Sequence, residues 1–136
     1  MSGLRLLAVE DQPVNVALLR ALLGRSPHPE LREAELSVAR TLAEGRRLIS
    51  GGGFDVVLLD IRLPDGSGLD LAREFAGRLP GTRILVVTAN ALPGDEEAAR
   101  AAGADAFMSK PYEPKSLAAT VLELAGVRRQ GAASGP

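Results

Sequence analysis

Val56-Val57-Leu58-Leu59 is a run of branched aliphatic residues held between Asp55 and Asp60. A strand whose side chains are apolar on both sides has to be covered on both faces, which puts it in the middle of a sheet flanked by helices. Other strand-like runs, Arg5 to Val9, Glu35 to Val38, Ile84 to Val87 and Ala106 to Ser109, alternate with stretches of helical spacing. Strand and helix taken in turn call for an α/β fold with a doubly wound parallel sheet. At 136 residues the chain is expected to form one domain over residues 1–126. The small, polar, glycine-containing stretch 127–136 is expected to be a flexible C-terminal tail.

Turn chemistry divides the helical stretches. Pro13 fits the first position of a helix in which Val14, Leu18 and Leu22 recur at helical spacing. A second helix is predicted from Thr41 to Ile49, stopped by Gly51-Gly52-Gly53, and a third from Leu69 to Phe75 after the turn-rich Leu63 to Gly68. Ala91 to Ala102 reads as helical, with Gly103 as its stop. The last helix opens near Pro114, turns Leu117, Val121 and Leu124 to the core, and is expected to end at Gly126.

Composition removes several functions. With 46% hydrophobic but 3% aromatic residues, the interior must be built from Leu, Val, Ile and Ala. The absence of cysteine rules out disulfides, a thiol nucleophile and a thiolate metal site. A formal charge of -1 provides neither a basic footprint for nucleic acid nor a field for an anionic membrane, so neither is an expected partner. No apolar run approaches the ~20 residues needed to span a bilayer, and the start lacks a signal peptide's apolar core; a cytoplasmic location is expected. Glu10-Asp11-Gln12-Pro13 stands where a dinucleotide fold would need a glycine-rich turn and would repel a pyrophosphate.

The polar residues that close the strands carry the chemistry. In open α/β sheets the ligand site lies outside the carboxyl ends of the strands, so Glu10-Asp11, Asp60, Thr88 and Lys110-Pro111 should meet at one edge. Successive residues point to alternate sides, so Glu10 and Asp11 cannot hold one ion in the same way: one binds directly, the other through water. Two charges ~4 Å apart repel by roughly 4 kcal/mol at an effective dielectric of 20. A hard cation relieves that repulsion, and Mg²⁺ fits a few carboxylates plus waters and a phosphate oxygen. Asp60 is the candidate nucleophile, since a carboxylate needs no base and can form an acyl phosphate. Lys110 and the Thr88 hydroxyl would meet the remaining phosphoryl oxygens.

Ala8-Val9-Glu10-Asp11, Leu58-Leu59-Asp60-Ile61-Arg62-Leu63-Pro64-Asp65-Gly66, Val86-Val87-Thr88-Ala89 and Phe107-Met108-Ser109-Lys110-Pro111, in that order, resemble the receiver domain of two-component response regulators from Arg5 to about Ala125. The resemblance implies a flavodoxin-like (βα)5 fold with strand order 2-1-3-4-5 and a cis peptide before Pro111. It implies that Asp60 is phosphorylated by a sensor histidine kinase or a histidine phosphotransfer protein, without conventional enzyme turnover. Asp11, Asp60 and the backbone carbonyl of Arg62 would bind Mg²⁺ directly, and Glu10 through water. Thr88 would swing toward the phosphoryl group while Phe107 turns inward, reshaping the face of the fourth helix, fifth strand and fifth helix for a downstream protein partner. By the same resemblance, Glu10 stands where receivers more commonly have Asp, Phe107 where they frequently have Tyr, and Arg62 and Asn90 at positions where receivers tune phosphoryl lifetime. The segments around Gln12-Pro13-Val14-Asn15 and Asn90 to Asp95 are similar to receivers attached to hybrid histidine kinases.

Other readings fit less well. A haloacid-dehalogenase-type aspartyl phosphatase needs an acid two residues after its nucleophile, where this chain has Arg62. An interaction module that is never phosphorylated has no need of the full set of pocket residues. His28 faintly echoes a phosphoacceptor box, but Pro27 and Pro29 break the long helix such a histidine sits in.

Overall fold

A computed structural model describes residues 3–89 and 91–133, with side chains through residue 126. Five parallel strands form the sheet: β1 (Arg5–Val9), β2 (Glu35–Ala39), β3 (Val56–Asp60), β6 (Arg83–Thr88) and β7 (Ala106–Ser109), in the order β2-β1-β3-β6-β7. A two-stranded hairpin of β4 (Arg62–Leu63) and β5 (Gly66–Ser67) stands outside it. With the hairpin set aside, this is the expected 2-1-3-4-5 order of a flavodoxin-like fold. The order reverses between β1 and β3, which opens a crevice at their carboxyl ends.

The helices are α1 (Pro13–Gly24), α2 (Pro29–Arg32), α3 (Leu42–Gly51), α4 (Gly68–Phe75), α5 (Asp95–Ala101) and α6 (Pro114–Ala133). They cover both faces, and the strands feed them alternately. Leu7, Val9, Val57 and Leu59 join a core with α3, α4 and α5. Leu6, Ala8, Val56 and Leu58 join a second core with α1, α2 and α6. β3 is buried along its whole length, as its uninterrupted apolar run requires.

Helix details depart from the sequence expectations at three places. In α1 the face turned inward is Val16, Leu19 and Leu23, while Val14 and Leu18 are 71% and 39% exposed. Apolar residues occupy nearly every side of α1, so spacing alone does not choose among stripes; contact with the sheet does. α5 begins at Asp95 rather than Ala91. Gly94 adopts a left-handed φ of 89° at its N-cap, Pro93 offers no N–H, and the Asp95 carboxylate accepts from the Leu92 N–H at 2.7 Å. α6 continues past Gly126, which does not take the left-handed backbone that turns a glycine into a stop. His28, between Pro27 and Pro29, occupies the N-cap position of the single turn α2 without a side-chain hydrogen bond to it, and no long helix forms there. No helix among the described residues is long and apolar enough to cross a membrane.

Candidate functional site

β1, β3 and β6 end at the same edge, and their ladders are in register: Val9 pairs with Leu59, and Asp60 with Val87. Backbone bonds carry the alignment beyond the strands, from Glu10 N–H to the Ala39 carbonyl and from Lys110 N–H to the Thr88 carbonyl, each at 2.8 Å. The residues that close each strand are therefore held by the sheet itself. The peptide before Pro111 is cis.

Carboxylate oxygens of Glu10, Asp11 and Asp60 lie within 4.8 Å of one another. Their surroundings differ. Glu10 is buried and accepts from the Gln12 N–H at 3.0 Å, whereas Asp11 is half-exposed and meets the Gln12 side-chain amide. Asp60 is buried, with the Arg62 N–H donating to one oxygen at 3.2 Å and Lys110 Nζ to the other at 3.1 Å. Lys110 Nζ also donates to Glu10 Oε1 in a short contact. The ammonium thus bridges two strand ends, and its pairing with Glu10 is a finding the sequence did not suggest.

Burial pushes the Asp60 carboxyl above its ordinary range, opposed by the Lys110 charge and hydrogen bond, while Glu10 adds to the upward push. Tyr112, buried beyond the cis-proline, has its phenol pushed up by burial and by the carboxylates of Glu10 and Asp60. Sequence reasoning passed over Tyr112; an aromatic two residues after Lys110 was the available signal. Three hard oxygen donors in this space suit a divalent cation of the magnesium or calcium kind, and the excess negative charge gives it a reason to bind.

Thr88 is buried at the end of β6. Its hydroxyl donates to the Ala89 carbonyl at 3.1 Å and accepts from Arg62 Nη1 at 2.9 Å. Phe107 pairs with Val86 across β6 and β7 and packs, half-buried, against the core of α3, α4 and α5. Alternation puts Thr88 and Phe107 on the same face of the sheet. The structure brings together Glu10, Asp11, Asp60 and Lys110, and sets Thr88 with Arg62 beside them. Asn90 lies outside the described residues.

The turn from Asp60 into α4 is tight. A Cβ at Gly68 would stand 1.9 Å from the Asp60 carbonyl oxygen, so only glycine lets the chain return past β3. Ser67 caps α4 through the Leu69 N–H, and Asp65 reaches across to accept from the Leu42 and Ala43 N–H groups at the start of α3. Asp65 thus serves a neighbouring helix rather than its own. Its backbone bond with Leu42 holds its carboxyl below the ordinary range.

Comparison with known proteins agrees with this arrangement. The family model for the response regulator receiver domain matches residues 6–122. The response regulator protein PilR of Pseudomonas aeruginosa is 37% identical over 91% of this chain, which spans 27% of PilR. A CheY-like receiver domain protein from Methanospirillum hungatei JF-1 superposes with a TM-score of 0.83 at 28% identity, covering 96% of this chain and 99% of that one. The receiver domain of a sensor histidine kinase from Pseudomonas aeruginosa PAO1, solved with magnesium coordinated in its active-site cleft, has a TM-score of 0.76 at 28% identity, covering 92% of this chain and 99% of that one. Strand order, the acidic cluster at the strand tips and a match along most of the sequence lead to one conclusion: the chain belongs to the response regulator receiver domain family.

Proposed function

We propose that this receiver accepts a phosphoryl group on Asp60 from a phosphohistidine of a sensor histidine kinase or histidine phosphotransfer protein. The observation that carries the reading is the shared pocket of Glu10, Asp11 and Asp60, with Lys110 Nζ 3.1 Å from Asp60. An Asp60 oxygen supplies the electron pair to phosphorus, and the bond from phosphorus to the donor nitrogen breaks with its pair remaining on the imidazole. Asp60 is suited to this because Lys110 Nζ, donating to one of its oxygens, supplies positive charge beside the attacking carboxylate. Lys110, already bonded to Asp60, moves its charge onto a phosphoryl oxygen as it forms.

Asp11, Asp60 and the backbone carbonyl of Arg62 would hold Mg²⁺ directly, with Glu10 acting through water. When bound, Mg²⁺ supplies positive charge against the phosphoryl oxygens. Magnesium in the cleft of the kinase receiver from Pseudomonas aeruginosa supports that assignment. Thr88 would then leave the Ala89 carbonyl to donate to the phosphoryl group, and Phe107, on the same sheet face, would fill the space. The face of α5, β7 and α6, the one anticipated from the sequence, changes for a downstream protein.

Incubation with acetyl phosphate and Mg²⁺ tests the reading by intact mass. One labile phosphoryl group is expected on the native chain, none in chelator and none on Asp60→Asn. Undiminished labelling of Asp60→Asn would overturn it.

A further inference from the structure

We propose that Arg62 positions the Thr88 hydroxyl while Asp95 holds Arg62 in place, so that a phosphoryl group on Asp60 must compete with Asp95 for one guanidinium. The inference rests on the reading of Asp60 as the phosphoacceptor and adds to it a chain-specific opposing contact.

Arg62 begins the hairpin after β3, yet its side chain crosses to β6 and α5. Nη1 donates to Thr88 Oγ1 at 2.9 Å, and Nη2 meets both Asp95 oxygens at 3.3 and 3.5 Å. A guanidinium is a rigid fork with donors only, so one residue can hold a hydroxyl and a carboxylate at a set separation, which a lysine cannot reproduce. The Thr88 hydroxyl has a single proton, and with Arg62 donating to its oxygen that proton goes to the Ala89 carbonyl. In this arrangement Thr88 faces away from duty at Asp60.

Asp95 is the anchor. It opens α5, accepts from the Leu92 N–H at 2.7 Å, and its side chain is 15% exposed against 48% for Arg62. The same carboxylate thus ties Arg62 to the connection that carries Leu92, which is 57% exposed. A phosphoryl group brings roughly -1.5 to -2 charges, more than the single charge of Asp95, to a point beside the backbone of Arg62. Attraction of the guanidinium to that group would loosen its hold on Asp95 and on the connection before α5. The Arg62 and Asp95 pair is therefore a brake on phosphoryl binding, released by the event it opposes.

Beryllofluoride with Mg²⁺ is the probe, titrated against native chain, Asp95→Asn, Arg62→Gln, Arg62→Lys and the Asp95→Asn/Arg62→Gln double variant. Tyr112 is the only tyrosine and there is no tryptophan, so its fluorescence reports the pocket; melting in chelator is recorded alongside. Asparagine retains an acceptor for Leu92, and Asp95→Asn is expected to bind beryllofluoride about 2- to 5-fold tighter, the size of a partly exposed ion pair. In the Arg62→Gln background the same change should have no effect, a non-additivity that general loss of stability does not produce. An Asp95→Asn/Arg62→Lys double variant, compared with Arg62→Lys alone, should show an intermediate response to the change at Asp95. Equal responses with and without Arg62, or unchanged affinity in Asp95→Asn, would overturn the brake while leaving the phosphoacceptor reading intact. A native chain that does not bind beryllofluoride would overturn both.

Discussion

Lys110→Met removes the ammonium that bridges Glu10 and Asp60, leaving two carboxylates whose side chains are only 4% and 9% exposed. At about 3 Å and an effective dielectric near 20, one such pair has roughly 5 kcal/mol of gross attraction. Water recovers part of that on unfolding, and deleting one partner of a buried pair costs about 3–5 kcal/mol net. For a domain of this size the loss lowers the melting temperature by roughly 10–15 °C. Circular dichroism melts in chelator at neutral pH measure it. The deficit should shrink when Mg²⁺ is added, because a cation returns to the same carboxylates, and also in acid, where Asp60 takes up a proton. A variant that melts within about 2 °C of the native chain, or a deficit untouched by Mg²⁺, would refute this account of how the pocket's charge is balanced.

Asp60→Asn should show a distinct pH signature in metal-free buffer. Because the folded chain holds the Asp60 proton more tightly than the unfolded one, that stabilisation is full below the ordinary value near 3.8 and is lost as pH rises through the raised folded value. The variant should therefore gain on the native chain over that rise; melts at a series of pH values that show a flat or reversed difference would contradict it. Gly68→Ala forces a methyl group to within 1.9 Å of the Asp60 carbonyl and should cost about 2–4 kcal/mol in urea unfolding. Asp65→Ala strips acceptors from the Leu42 and Ala43 N–H groups. It should lower the melting temperature above the depressed Asp65 pKa and speed amide exchange at those two positions, with the melting difference fading as pH falls through that pKa.

The strands and the acidic pocket were legible because both have local signals. A buried parallel strand is an unbroken apolar run, as in Val56 to Leu59, and the residue that closes it falls at the ligand edge by topology alone. Helix faces were less legible. α1 has apolar residues on nearly all sides, so Val14, Leu18 and Leu22 satisfy helical spacing as well as the buried Val16, Leu19 and Leu23. Alanine-rich Ala91 to Ala102 looks helical throughout, but a left-handed Gly94 and the Asp95 contact with Leu92 delay α5 to Asp95. Contacts between distant residues leave no local pattern. The Lys110 bond to Glu10, the Asp65 cap on α3 and the Arg62 link from Thr88 to Asp95 all depend on how the sheet edge is assembled.

The central claim is that the carboxylate at the tip of β3 carries the phosphoryl group, and borohydride trapping tests it residue by residue. Reduction of an aspartyl phosphate leaves homoserine, which tandem mass spectrometry of the digested protein locates. After acetyl phosphate and Mg²⁺, homoserine is expected at position 60 and nowhere else in the pocket. Homoserine at position 11, or a phosphorylated chain with aspartate intact at position 60, would contradict the account.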